Sequence, residues 1–320
     1  MSLADLKIFS GNANSELAEK ICRVSGVKLG DCTIKKFSND NIKVKYNDHI
    51  RGADVFIVQP SSPPVSDGII ELLIMIDAAK HASASRVTAV LPYFPYVRSD
   101  KKDEPRISIT ARLMADLLEA AGADRVLTMN LHSPQVQGFF RIPVDQLSSG
   151  DLMIDYFKQN FDLANHVVVA PDAGSAKRAG QYAISMDLPM AILDKRRNDD
   201  TENPKIAHVI GEVKDKDALI FDDEISTAGS MAATASALKK LGVVSIKAAA
   251  THGVLCGPAV ERIKSSDISE LVVTDSVRIS EDKCIDKITV LSIDQLFSNA
   301  IRRIHNGESV SEMFRASMNV

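Results

Sequence analysis

Apolar and polar residues follow two different periods along the chain, and together they predict strands and helices in turn. Short apolar runs without alternation are typical of strands that are covered on both faces. They occur at 54–58, 86–91, 125–129, 166–170 and 218–221. Apolar residues at helical spacing occupy 68–82, 109–121, 151–160 and 231–240. Strands that alternate with helices predict an α/β fold with mainly parallel sheets.

The same succession of strand, small-residue turn, helix and strand occurs in both halves of the chain. Segments 54–91 and 218–250 align loosely in this way, with little sequence identity. Between the halves, the composition turns polar around 145–150. We therefore expect two similar domains, 1–147 and 148–320, each with a mainly parallel sheet flanked by helices.

One segment of the first half has the alternation of a half-exposed strand. Ile42, Val44 and Tyr46 are separated by lysines. The polar residues 38–41 before them predict a hairpin-like turn, and such a turn by itself accounts for their polarity.

Composition and charge exclude several classes of protein. With 45% hydrophobic residues the chain can bury sizeable cores, and its net charge of −4 provides no general attraction for nucleic acid. No apolar run reaches the roughly 18–20 residues of a membrane span, and the first residues lack the pattern of a secretory signal. The four cysteines have no paired spacing, which favours free thiols in a reducing cytoplasm.

The stretch 218–230 is the strongest candidate site. Asp222 and Asp223 follow an apolar strand, and small residues from Ser226 to Ser230 lead into a helix. A strand, a small-residue turn and a helix N-terminus together form a cradle of backbone N–H groups for phosphate. The adjacent carboxylates are suited to sugar hydroxyls, which a bare phosphate loop would not need. The alternative is an ordinary turn, where Ser, Thr and Gly are common.

Polar residues also follow other predicted strands, at the edge where ligands bind in open α/β sheets. Asp172 and His132 stand in such positions. Segment 92–102 combines aromatic rings with cations, which suits a nucleotide and equally suits an aromatic packing corner. Segment 194–204 contains no apolar residue and predicts a mobile polar loop able to bring cations to phosphates.

Taken together, the motifs of the chain resemble those of the ribose-phosphate pyrophosphokinase family over nearly the whole length. The motifs that carry the resemblance are Phe37-Ser38, 51–59, Pro92-Tyr93-Phe94, Leu131-His132, 137–140, Pro171-Asp172, 194–197, 222–230 and 300–304. The resemblance implies two phosphoribosyltransferase-type domains and an enzyme that synthesises phosphoribosyl pyrophosphate (PRPP). In that family the diphosphoryl group of Mg-ATP moves to the C1 hydroxyl of ribose 5-phosphate, and AMP leaves. It also implies a homo-oligomer in which dimers assemble to a hexamer, without nucleic acid or membrane partners.

The same resemblance implies a role for individual residues. Lys195 and Arg197 match catalytic positions, Arg197 also being associated with ribose phosphate, and His132 and Asp172 match Mg²⁺ positions. The ATP positions are Phe37, Asn39, Asp40, Asn41, Arg98 and Ser99. The ribose 5-phosphate positions are Asp222, Asp223, Ser226, Thr227, Ala228, Gly229 and Ser230, with Arg197.

The chain departs from the family pattern at several of these positions. Members usually carry acids where this chain has Asn39, Asn41, Asn130, Arg141 and Ser226, and glutamine at Ser99. Asparagine still accepts hydrogen bonds but brings no charge. We therefore expect an enzyme with altered nucleotide affinity or metal demand.

Three other functions remain open from the sequence. The substitutions favour a non-catalytic paralogue that assembles with active subunits. The residues that oppose this alternative are the retained His132, Asp172, Lys195, Arg197 and Asp222. A phosphoribosyltransferase that consumes PRPP would not need a second similar domain. A nucleic-acid-binding module would have only Lys101-Lys102 and the cations at 195–197 to support it.

Overall fold

A computed structural model describes residues 4–196 and 205–314. Its strands are β1 Leu6–Ser10, β2 Cys32–Lys36, β3 Ile42–Tyr46, β4 Asp54–Val58, β5 Arg86–Leu91, β6 Arg125–Met129, β7 Val144–Leu147, β8 His166–Ala170, β9 Met190–Arg196, β10 Lys205–Ile210, β11 Asp217–Ile225, β12 Ile246–Gly253, β13 Glu270–Thr274 and β14 Ile288–Leu291. Its α-helices are α1 Ser15–Ser25, α2 Val65–His81, α3 Thr110–Ala121, α4 Gly150–Asn160, α5 Ala176–Met186, α6 Gly229–Lys240, α7 Ala259–Ser265 and α8 Asp294–Asn306. None of the described helices is long and apolar enough to cross a lipid bilayer.

The first large sheet consists of parallel strands in the order β1-β4-β5-β6-β7. Its strand β4, between β1 and β5, reads Asp-Val-Phe-Ile-Val and is buried throughout, which is typical of a parallel strand covered on both faces. The strands β2 and β3 form a separate antiparallel hairpin in which Cys32 pairs with Tyr46. The predicted hairpin and the predicted parallel strands are therefore confirmed.

The second large sheet has the order β10-β9-β8-β11-β12-β13-β14. Its strands are parallel except β10, which runs antiparallel to β9. Because β8 and β11 are parallel neighbours, the segments that follow their carboxyl ends lie at the same edge of the sheet. This edge brings the second-half candidate residues together.

Two sequence-based boundaries were wrong in this sheet. The strand expected at 218–221 continues to Ile225, so Asp222 and Asp223 lie inside β11 rather than after it. The pairing explains the extension, because β11 follows β12 from Ala218 opposite Ile246 to Ile225 opposite Gly253. The polar loop expected at 194–204 begins later than predicted, because β9 continues to Arg196 and pairs with β10, so 194–196 are strand.

The chain divides into two compact units that are not continuous in sequence. Of the described residues, one unit comprises 4–148, 276–278 and 292–314, and the other comprises 149–196, 205–275 and 279–291. The helix α8 belongs to the first unit, where Nδ1 of His305 lies 2.8 Å from Oδ2 of Asp54. The predicted ranges 1–147 and 148–320 would place α8 in the second domain, and they stay a prediction.

Candidate active site

The acid pair of β11 is held by one arginine of α5. Nη2 of Arg178 donates to Oδ1 of Asp222 at 2.6 Å, and Nη1 donates to Oδ1 of Asp223 at 2.8 Å. Tyr182, one turn further along α5, stacks on Phe221 of β11 with ring centroids 3.9 Å apart. This packing holds α5 against β11 and so places the Arg178 guanidinium beside the two acids. One planar cation with two parallel donors thus neutralises two neighbouring carboxylates.

Burial perturbs the titration of Asp222. Loss of solvation, together with a hydrogen bond to Asp223 and its charge, raises the pKa of Asp222 to about 7, although Arg178 opposes the increase. A carboxyl group with this pKa exists in both protonation states near neutral pH. Asp222 can therefore accept a hydrogen bond from a sugar hydroxyl, or donate one, within the physiological range.

The loop between β11 and α6 has the features of an anion cradle. Ala228 adopts a left-handed conformation with φ of 59°, and α6 begins at the next residue, Gly229. No side chain caps this helix N-terminus, and no acidic residue stands in its first turn. The backbone N–H groups at the start of α6 are thus available to a phosphate, and the helix dipole favours the negative charge.

The first residue of this loop is tied to the segment after β12. The carbonyl of Ser226 accepts from the backbone N–H of Cys256 at 2.9 Å, and the Ser226 hydroxyl lies 3.0 Å from the Cys256 thiol. At this position, where the resemblance implies an acid, the chain has a hydroxyl next to a sulfur atom. The loop retains its backbone cradle without that negative charge.

Asp172 lies beyond the carboxyl end of β8 and is exposed. Its Oδ1 accepts from the backbone N–H of Ser175 at 2.8 Å, which caps the short 3₁₀ helix before α5. This bond fixes the carboxylate while Oδ2 makes no hydrogen bond within the described part of the chain. No group of three or more His, Cys, Asp or Glu side chains in the described ranges is arranged to hold a metal ion.

The predicted catalytic segment is described only in part. The backbone of Lys195 lies in β9, opposite Ile206 of β10. Arg197 lies outside the described residues, which resume at Lys205.

In the first unit, the predicted ATP residues occupy two loops. Asn39, Asp40 and Asn41 form the exposed turn of the β2–β3 hairpin, closed by a bond from the Phe37 N–H to the Asn41 carbonyl at 2.8 Å. Phe37 is 42% exposed and offers a ring face beside this turn. Arg98 and Ser99 belong to the irregular loop after β5, as predicted, and Arg98 is exposed.

The sequence of this loop predicts either a nucleotide site or an aromatic packing corner, and its aromatic residues differ in which of these they fit. Phe94 is buried and packs edge-on against Phe140, with centroids 5.9 Å apart, as a packing corner requires. Tyr96 is 44% exposed and has a left-handed backbone with φ of 51°. His132, also exposed, follows β6 in the same unit.

Sequence reasoning missed Arg178 as a functional residue. Two adjacent acids at the end of a buried strand need a cation nearby, since unpaired buried charges are costly. The acids and the arginine are separated by 44 residues along the chain, so nothing in the sequence identifies which cation it is.

The sequence of this chain is similar to those of known enzymes over nearly its whole length. A sequence profile described as the N-terminal domain of ribose phosphate pyrophosphokinase matches residues 6–122, and one described as a phosphoribosyl synthetase-associated domain matches 201–315. Ribose-phosphate pyrophosphokinase of Deinococcus radiodurans is 52% identical over 97% of this chain and 98% of its own length. The chain belongs to the ribose-phosphate pyrophosphokinase family.

Other members support the same conclusion. The protein of the same name from Caldanaerobacter subterraneus is 49% identical, again over 97% of this chain and 98% of its own length. The crystal structure of phosphoribosylpyrophosphate synthetase from Mycobacterium smegmatis superposes with a TM-score of 0.90 at 39% identity, covering 95% of this chain and 99% of that chain. Membership in the ribose-phosphate pyrophosphokinase family confirms the predicted family, the α/β fold and the enzyme class.

Proposed function

We propose that the loop 226–230 and the acid pair of β11 bind ribose 5-phosphate for PRPP synthesis. The observation that carries this proposal is the juxtaposition of an uncapped helix N-terminus with two carboxylates held by Arg178. Phosphate needs N–H donors, which the start of α6 supplies. Sugar hydroxyls need acceptors, which Asp222 and Asp223 supply at the preceding strand.

The reaction moves the β,γ-diphosphoryl group of ATP to the C1 hydroxyl of ribose 5-phosphate. The C1 oxygen forms a bond to the β-phosphorus, the bond from that phosphorus to the α,β-bridging oxygen breaks, and the proton of the C1 hydroxyl is released. AMP leaves with the bridging oxygen. Such a transfer depends on positioning and on neutralising negative charge more than on covalent catalysis.

The cations that neutralise this charge are assigned to the segment after β9. Lys195 and Arg197 are the proposed catalytic residues, because a paired strand leads into a segment rich in Lys and Arg. Arg197 is also proposed to contact the ribose phosphate. In the first unit, Phe37, Asn39, Asp40, Asn41, Arg98 and Ser99 are the proposed ATP residues.

The chemistry of Asp172 fits Mg²⁺. This ion usually keeps several waters and binds proteins through one or two carboxylates together with substrate phosphates. An exposed carboxylate with one oxygen fixed by Ser175 meets that requirement without a preformed cage. When bound, Mg²⁺ would offset the negative charge of the nucleotide phosphates. His132 is proposed as a second Mg²⁺ position only from the family pattern, because imidazole is an unusual ligand for this hard ion.

The assembly and the location of the protein belong to the same proposal. We expect a homo-oligomer in which dimers assemble to a hexamer, and a cytoplasmic enzyme that acts on ATP and ribose 5-phosphate. Sedimentation velocity of the full chain measures the assembly directly.

The decisive experiment is a product assay with a matched variant. Purified protein is incubated with ATP, Mg²⁺ and ribose 5-phosphate, and AMP, ADP and PRPP are quantified beside Lys195→Ala. AMP in equal amounts with PRPP, lost in the variant, supports the proposal. ADP in place of AMP contradicts the diphosphoryl mechanism, and no turnover over a wide Mg²⁺ range indicates the non-catalytic paralogue.

A further inference from the structure

A second arginine contacts the phosphate loop from outside the acid pair. Nη1 of Arg262, in α7, donates to the backbone carbonyl of Thr227 at 3.0 Å. The same nitrogen lies 3.3 Å from the position that a Cβ would occupy on Gly229. The guanidinium therefore lies against the loop at the start of α6. Arg262 and Thr227 are 35 residues apart along the chain.

The helix that carries Arg262 is anchored at both ends. Ala259 and Ile263 of α7 are buried, and the carbonyls at its C-terminal end accept from Nζ of Lys287, which lies 2.9 Å from the carbonyl of Ser266. Before the helix, the backbone N–H of Cys256 is bonded to the carbonyl of Ser226. The side chain of Arg262 is exposed, but it projects from a helix whose backbone is held by these contacts, which favours a defined geometry for its bond to Thr227.

The contact with Thr227 fixes more than one carbonyl group. A trans peptide is planar, so its carbonyl oxygen and the following N–H point in opposite directions. Holding the Thr227 carbonyl toward α7 therefore directs the N–H of Ala228 away from α7. Ala228 has φ of 59°, a conformation that costs a non-glycine residue about 1 kcal/mol or more. A bond on the adjacent peptide helps to keep it there.

The glycine at the start of α6 lies close to the same guanidinium. Gly229 does not have a positive φ, so its backbone conformation is open to any residue. A Cβ at this position would lie 3.3 Å from Nη1 of Arg262, so the guanidinium would have to move by a few tenths of an ångström. A larger residue at position 229 would therefore disturb the contact between Arg262 and the loop.

We propose that Arg262 is a positioning residue for ribose 5-phosphate: it orients the 227–228 peptide so that the loop presents its N–H groups to the 5-phosphate. This inference rests on the proposed function, because it assumes that the loop 226–230 binds that phosphate. Arg262 acts through the loop backbone and takes no part in the transfer itself. Its loss should weaken ribose 5-phosphate binding and leave the ATP side unaffected.

The test compares Arg262→Gln and Arg262→Lys with the control Lys264→Gln, which removes the same charge from the same helix. Lys264 is exposed, and its side chain pairs with Glu261 rather than with the loop. For each protein, the KM of ribose 5-phosphate, the KM of ATP and kcat are measured. Calorimetric titration with ribose 5-phosphate in the presence of Mg²⁺ and α,β-methylene-ATP gives a Kd that does not depend on turnover.

We expect Arg262→Gln to raise the KM and Kd of ribose 5-phosphate about 10-fold, the effect of one hydrogen bond from a charged group. The KM of ATP and the melting temperature should stay close to wild type, and kcat should change less than KM. Arg262→Lys, which can still donate to Thr227, should recover most of the affinity, and Lys264→Gln should resemble wild type.

The inference is overturned if Arg262→Gln leaves the ribose 5-phosphate Kd unchanged, or if Lys264→Gln weakens it equally. In both cases the wild type binds ribose 5-phosphate and releases AMP, so the proposed function stands and the inference alone fails. A wild type that does not bind ribose 5-phosphate contradicts the proposed function, and the inference falls with it.

Discussion

Arg178 donates to Asp222 across 2.6 Å and thereby joins the first half of α5 to the end of β11. The bond stabilises the charged form of a carboxyl whose pKa burial raises to about 7. The protonation state of Asp222 is thus set by a balance between burial and a single guanidinium. That balance can be shifted by mutation.

Replacing Arg178 should move the pH dependence of the reaction. If ionised Asp222 binds the sugar, kcat/KM for ribose 5-phosphate declines as pH falls through about 7. Arg178→Gln removes the charge that lowers this pKa, so the acid limb should shift to higher pH by about one unit. kcat/KM at pH 8 should also fall about 100-fold, for two charge-assisted hydrogen bonds.

Arg178→Lys is the matched control, since it keeps the charge and loses the two-point geometry. Its acid limb should stay close to that of the wild type. The phosphate of the substrate also titrates near pH 6, but this contribution is common to all three proteins. An acid limb that is identical in Arg178→Gln and wild type would contradict the assignment of Asp222.

Restoring acids at Asn130 and Arg141 should reduce the metal requirement. Asn130 has a left-handed backbone with φ of 40°, which aspartate also tolerates, so Asn130→Asp is nearly isosteric. The double variant with Arg141→Asp gains carboxylates for a divalent cation and should need about threefold less free Mg²⁺ for half-maximal rate. The rates of the double variant and the wild type are measured against free Mg²⁺ at saturating ATP. Identical curves for the two proteins would contradict an altered metal demand.

Removing Asp54 should destabilise the first unit. Its carboxylate is 4% exposed, accepts from Nε of Arg86 at 2.8 Å, and lies 2.8 Å from Nδ1 of His305. Asp54→Asn leaves the arginine without its charge partner, at a cost of about 3 kcal/mol. Asp116→Asn breaks the exposed pair with Arg112 and should cost less than about 1 kcal/mol. Urea denaturation of the two variants is followed by far-UV circular dichroism, since the chain has no tryptophan for fluorescence. Equal unfolding midpoints would contradict the larger contribution of the buried ion pair.

His166 should make stability depend on pH in the acid range. Burial, with the nearby charge of Lys247, lowers the pKa of this histidine below 6.5. The unfolded chain therefore takes up a proton first, and stability is lost as pH falls from about 6.5 toward the lower folded-state pKa. The loss of melting temperature on going from pH 7.5 to pH 5.5 should be smaller in His166→Gln than in wild type.

Asp222 contributes the opposite trend, because its raised pKa adds stability as pH falls through about 7. Only the difference between His166→Gln and the wild type isolates the histidine. If both proteins lose the same number of degrees between the two pH values, His166 is not the titrating group.

The sequence predicts most of the strands and loops that carry the site, but few of the contacts between them. The apolar run before Asp222 and the small residues after it identify a strand and a loop, because those properties are local. The continuation of β11 to Ile225 is set by pairing with β12, which the polar residues of that stretch do not encode. β10 was missed for the same reason, since it exists as the partner of β9.

The hydrophobic periodicity of the sequence does not predict contacts between residues that are far apart along the chain. Arg178 and Arg262 reach the site from helices 44 and 35 residues away from the groups they bind. The contact of His305, in α8, with Asp54 spans 251 residues. Packing in three dimensions selects these partners from many equivalent charges.

The place of α8 in the first unit has a consequence for synthesis on the ribosome. The buried side chains Phe297, Ile301 and Ile304 belong to a helix that follows β14 along the chain, so it is synthesised after the described strands of both sheets. Until that helix emerges, the first unit lacks part of its core, and the buried carboxylate of Asp54 lacks His305. A nascent chain stalled before residue 292 should therefore remain protease-sensitive in its earliest-made half, although that half left the ribosome first.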